Sequence, residues 1–112
     1  MNKAGKFDKE LRELADFSRV ISHPARLAIL KYLSESKVCV SGDISGYIPL
    51  SRTTVSQHLK ELRTAGLIQG EIEGTHINYC LNAEVIEKKY KKFKKFFSNV
   101  ISTEVPCNPD NQ

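Results

Sequence analysis

The chain has 112 residues, with 17 Lys plus Arg against 13 Asp plus Glu and a net charge of +4. That length holds one domain with a modest core, near the size at which dimerisation commonly adds stability, and the mild basic excess suits a nucleic-acid binder. No signal peptide or long apolar span is evident, and three cysteines is an odd count. Neither a membrane-spanning protein nor a secreted disulfide scaffold is expected, and the expected location is the cytoplasm.

Met1 to Gly5 read as a loose terminus. Phe7, Leu11, Leu14, Phe17 and Ile21 share one stripe, which predicts a first helix over 7–21. Ser22 is the expected cap of a second helix, with Pro24 in the first turn, where its missing N–H costs nothing, and Leu27, Leu30 and Leu33 facing inward. Arg26 reads as a surface or phosphate-facing cation. Val38, Cys39 and Val40 alternate and are able to pair with a later hairpin. Gly42 to Tyr47 predicts a short support helix anchored by Ile44 and Ile48, and Ile48-Pro49-Leu50 a tight connection.

The next stretch, Leu50 to Ile68, carries most of the functional argument. Ser51 is a good N-cap, Val55, Leu59 and Leu62 form a buried stripe, and Gly66 supplies the stop. The opposite face collects Thr53, Thr54, Gln57 and Lys60, with Arg52, Ser56 and His58 on the flanks. This donor-rich set is the inventory for reading base edges and clamping phosphates. Gln57 is the expected base contact, assisted by Thr53 and Ser56, while Arg52, Thr54, His58 and Lys60 are expected to hold phosphates.

Leu67 to Ile72 and His76 to Leu81, joined by Glu73-Gly74-Thr75, read as a β-hairpin. Helix, turn, helix and hairpin make a winged helix, so the expected fold is mostly α with a small β-hairpin. Gly70 to Asn82 contains no Lys or Arg but does contain Glu71 and Glu73, which predicts a wing with a small share of the affinity for DNA. Asn82 then caps a last helix over 83–101, in which Ile86, Tyr90, Phe93, Phe97 and Val100 form a seam that wants a partner. Its many lysines read as a solvated face. Residues 1–101 are thus one winged helix-turn-helix and dimerisation domain, and 102–112 a flexible tail with Pro106, Cys107 and Pro109.

Ile21-Ser22-His23-Pro24-Ala25-Arg26-Leu27-Ala28-Ile29-Leu30, Val38-Cys39-Val40, Leu50 to Ile68 and Gly74-Thr75-His76-Ile77-Asn78-Tyr79 together resemble the ArsR/SmtB family of bacterial repressors, over about Phe17 to Leu81. The resemblance implies a homodimer through the first and last helices, bound to a palindromic operator in double-stranded DNA. It also implies release when a metal, a metalloid or a thiol oxidant binds.

The sequence narrows the choice of inducer. No Gly-rich phosphate loop or paired catalytic carboxylates occur, and His23, His58 and His76 lack ligand spacing, so an enzyme is not expected. Zinc-sensing members place His ligands on the last helix, which here has none. Arsenic- and cadmium-sensing members carry Cys-x-Cys where this chain has Cys39-Val40-Ser41, so one thiolate of that site is missing. Strand alternation points Ile77, Tyr79 and Leu81 inward and Cys80 outward, and likewise Cys39 outward. If the two strands pair, Cys39 and Cys80 are cross-strand neighbours, over which Cys107 can fold. Three such thiolates suit trivalent arsenic or another soft metal as inducer, with no cofactor otherwise required. Two of them suit a redox or reactive-sulfur switch, and inert thiols remain open. A winged-helix module that binds protein instead of DNA is the alternative of a different class.

Overall fold

The computed structural model describes residues 4–36, 40–73 and 76–102. Four helices, α1 (Lys9–Ile21), α2 (Pro24–Ser36), α3 (Arg52–Thr64) and α4 (Ala83–Ser102), surround a small sheet of β1 (Val40–Asp43), β2 (Ile68–Glu73) and β3 (His76–Leu81). Strand order is β1-β3-β2, antiparallel throughout, with Val40 opposite Tyr79 and Gly70 opposite the same residue from the other side. This is the expected winged helix-turn-helix, with β2 and β3 as the wing.

The core lies between α2, α3 and the sheet. Ile29 and Leu33 of α2, Ile44 and Ile48 of the connection, and Val55, Leu59 and Leu62 of α3 close on Leu67, Ile68 and Tyr79. Phe17, Val20 and Ile21 of α1 and Val85 and Ile86 of α4 pack on its rim. Burying such side chains contributes about 1.5–3 kcal/mol each before chain entropy is counted.

Four expectations are corrected here. The inward stripe of α2 is Ala25, Ile29 and Leu33, and Leu27 is half exposed. The run Leu27-Ala28-Ile29-Leu30 is apolar at every position, so its phase is set by the partner surface and not by its own spacing. Ser22 does not cap α2. Its hydroxyl donates to the Arg19 carbonyl at the end of α1, and the His23 Nδ1 accepts the Ala25 N–H at 3.1 Å in the capping role. The predicted support helix is reduced to a 3₁₀ turn, Ser45–Tyr47, because Gly42 and Asp43 join β1 opposite Ile77 and His76. Gly42 and Gly46 make a helix costly there, while β3 offers an open ladder. Finally, α1 begins at Lys9, and Phe7 lies outside it, 61% exposed. Val38, Cys39 and the tail from residue 103 onward lie outside the described residues.

Candidate nucleic-acid interface

The helix α3 is fixed at both ends by local chemistry. At its start the Ser51 hydroxyl accepts the Thr54 N–H at 3.2 Å and lies 2.9 Å from the Thr54 hydroxyl. At its end Gly66 adopts φ +83°, its N–H donates to the Arg63 carbonyl at 2.9 Å, and the Leu67 N–H donates to the Leu62 carbonyl at 3.1 Å. This pair of bonds is a Schellman stop, and glycine meets the left-handed conformation at no steric cost. The chain can therefore turn directly from α3 into β2.

With Val55, Leu59 and Leu62 fully buried, the other side of α3 is left to solvent. Arg52, Thr53, Thr54, Gln57 and Lys60 are exposed and Ser56 is half-buried. The first turn carries no acidic residue, so the positive end of the helix dipole is not neutralised from within. The Gln57 amide donates to the Glu61 carboxylate at 3.3 Å along the helix. This bond is exposed and long, and a base edge offering both acceptor and donor competes with it readily.

His58 departs from the expected set. It is 7% exposed and faces α2, not solvent. Its Nδ1 accepts a hydrogen bond from the Arg26 Nε at 3.0 Å, and its ring centre lies 4.2 Å from that of His23. Its Nε2 has no hydrogen-bond partner among the described residues. Burial, His23 and Arg26 all push the His58 pKa below its ordinary value, against a weaker opposite pull from Glu61. A phosphate contact is thus not available to His58. Nor is Arg26 a surface cation: half-buried, it also donates from Nη1 to the Val20 carbonyl at 3.0 Å, in the last turn of α1. The spacing held a signal for His58, since positions 55, 58, 59 and 62 form one continuous stripe. Arg26, at a separation of 32 residues, left no such signal.

Of the candidate sensing thiols, only Cys80 lies among the described residues. It is half-buried on β3, opposite Gln69, and is disulfide-bonded. Asn78 is exposed and Tyr79 buried, as strand alternation predicts. Cys39 and Cys107 lie outside the described residues. Among the described residues no cluster of three His, Cys, Asp or Glu side chains fits a metal ion, and no helix is long and apolar enough to cross a membrane.

Comparison with known proteins agrees with this architecture. A family model for bacterial regulatory proteins of the arsR family matches residues 23–69. The HTH-type transcriptional regulator CmtR of Mycobacterium tuberculosis is 38% identical over 100 residues, covering 88% of this chain and 83% of its own. The HTH-type transcriptional regulator YgaV of Escherichia coli is 30% identical over 86 residues, covering 77% and 87%. An ArsR-like transcriptional regulator from Rhodococcus superposes with a TM-score of 0.61 at 22% identity, over 80% of this chain and 83% of that one.

Proposed function

This chain belongs to the arsR family of bacterial regulatory proteins and is a DNA-binding transcriptional regulator, not an enzyme, and from that premise we propose that it is a homodimeric repressor released from a palindromic operator by chemistry at its cysteine thiols. In this reading each α3 enters the major groove, and the twofold axis sets half-sites about one helical turn apart or a multiple of it. Gln57 reads a base, Thr53 and Ser56 assist, and Arg52, Thr54 and Lys60 hold phosphates. Replacing Lys60 with alanine is expected to weaken binding to all duplexes by a similar factor, and to reduce the slope of log affinity against log salt by about 1. Gln57→Ala is expected instead to relax the preference among duplexes that differ at one base pair. Anisotropy titrations over a salt series separate the two outcomes. Unchanged sequence preference in Gln57→Ala would sink the base-reading assignment.

The observation that carries the choice of sensor is the disulfide at Cys80. It favours the redox reading over a three-thiolate site for trivalent arsenic or another soft metal, built from Cys39, Cys80 and Cys107. The described β1–β3 ladder runs as far as Val40 against Tyr79, Cys39 precedes Val40 in the chain and Cys80 follows Tyr79, and this reading takes these two cysteines as the pair. In this reading the reduced protein carries both cysteines as thiols and its dimer binds the operator. A two-electron oxidant such as a peroxide takes up the two thiol protons and two electrons as the S–S bond forms, and leaves as water. The bond then fixes β1 to the wing strand and shifts the spacing of the α3 helices away from the one DNA fits. Operator-duplex anisotropy with reduced protein tests this directly. Peroxide or a persulfide donor is expected to weaken binding about tenfold or more, consistent with an ordinary coupling energy, and Cys80→Ser to abolish the response while Cys107→Ser keeps it. Release by arsenicals that requires all three cysteines would instead establish the soft-metal site.

A further inference from the structure

The Arg26 guanidinium touches three elements at once. It belongs to α2, its Nη1 holds the Val20 carbonyl near the end of α1, and its Nε holds the His58 Nδ1 in the middle of α3. The carbonyls at a helix C-terminus lack intrahelical donors, so a cation there is doubly favoured. The contact with α3 is of another kind. An arginine is only ever a donor, so this bond exists only while the His58 Nδ1 carries no proton. The ring proton of neutral His58 then sits on Nε2, the buried atom without a partner among the described residues. Adding a second proton sets N–H against N–H and places an imidazolium beside a guanidinium.

We propose that Arg26 and His58 form a proton-gated strut that positions the recognition helix α3 against α1 and α2, holding it for operator binding when His58 is neutral and letting it go when His58 is protonated. The proposal rests on the reading of α3 as the DNA-contacting helix. Arg26 and His58 are positioning residues here and touch no base or phosphate themselves.

The surroundings of His58 bias it toward the neutral form. His23, which caps α2, brings its ring to 4.2 Å, α2 itself contributes Arg26, and α3 contributes Glu61, which pulls weakly toward the cation. Burial, His23 and Arg26 lower the pKa of His58 from its ordinary 6.5. A lowered native pKa means that the unfolded chain binds more protons than the native one between the two values. The strut's contribution is therefore fully present above pH 6.5 and is lost as pH falls below it toward the native value. The expected sign is the reverse of the general one for basic proteins. Protonating histidines adds positive charge and ordinarily tightens DNA binding, whereas this strut makes specific binding weaker in mild acid.

The test uses the full reduced chain and a palindromic duplex enriched from a random pool at about pH 7.5, read by anisotropy at fixed ionic strength. Wild-type affinity is expected to fall severalfold between roughly pH 7.5 and pH 5.5, by less than the roughly tenfold that one proton binding at the ordinary histidine pKa would give. His58→Asn, whose Oδ1 stands where Nδ1 does and does not titrate, is expected to show a flat profile. Arg26→Gln is expected to bind more weakly at neutral pH and to be flat as well, which decides the matter if the His58 variant does not fold. A wild-type affinity that is constant or rises in acid, or a variant that falls in parallel with it, overturns the proposal. If no duplex is enriched, the DNA-reading role of α3 fails separately. NMR then still tests the strut: the Arg26 Nε–H signal must change in step with the His58 ring titration, and independent titrations overturn it.

Discussion

Gly70→Ala is expected to be among the most damaging single-methyl changes in the chain, lowering stability by about 3 kcal/mol and the melting temperature by roughly 10 °C or more. Gly70 sits in β2 at φ +128°, a conformation side chains rarely adopt. A Cβ there would overlap the Asn78 carbonyl oxygen and the edge of the Tyr79 ring. Neither neighbour can step aside cheaply. The Asn78 carbonyl is backbone of the partner strand, and Tyr79 is fully buried, paired to Gly70 on one side and to Val40 on the other. A shift of Tyr79 would therefore disturb both ladders, and with them the wing and the strand that carries Cys80. Thermal unfolding followed by circular dichroism at one fixed protein concentration measures the effect, since the proposed dimerisation would make the midpoint depend on concentration. A midpoint within about 2 °C of wild type would show that β2 rearranges around the methyl group, against the cost expected of overpacking.

What the sequence made legible was what local chemistry decides. Ser51 and Gly66 frame α3 with interactions spanning three to five residues, and Asn82 caps α4 through its Oδ1, which accepts the Val85 N–H at 3.4 Å. Strand alternation likewise placed Tyr79 inward and Cys80 toward the surface. What stayed hidden depends on partners distant in the chain. Gly42 and Asp43 enter a strand because β3 is there to pair with them, although the local pattern suggested a helix. The phase of α2 follows from the surface it meets. His58 looked like a polar flank of the recognition helix because histidine is usually placed by its polarity, yet the guanidinium of Arg26 makes burial tolerable by satisfying one of its nitrogens. The wheel alone, read for spacing and not for polarity, already put His58 with Val55, Leu59 and Leu62.

Phe97→Asp is expected to convert the protein from dimer to monomer and to weaken operator binding by about 10²- to 10⁴-fold, the range that loss of bivalent engagement produces. Within one chain α4 buries no residue fully, and Tyr90, Phe97, Val100 and Ile101 remain exposed, Ile101 at 80%. Leu11, on α1, is exposed as well. What the chain does for this face is to orient it. Phe17 meets Phe93 edge to face at 6.2 Å, Phe93 contacts Phe97 at 4.7 Å, and Lys92 pairs with Glu13 at 3.2 Å, holding the Glu13 carboxyl below its usual pKa. An exposed ion pair contributes little stability by itself, and here it joins α4 to α1 alongside the Phe17–Phe93 contact. A continuous apolar strip held in one orientation is the surface a twofold partner can cover with its own copy. A carboxylate at its centre would be buried against its image and would repel it. Because Phe97 lies outside the core of the single chain, the variant is expected to stay helical by circular dichroism while sedimenting as a monomer. A Phe97→Asp protein that remains dimeric, or a wild type that sediments as a monomer at micromolar concentration, would remove α4 from the interface and with it the palindromic operator.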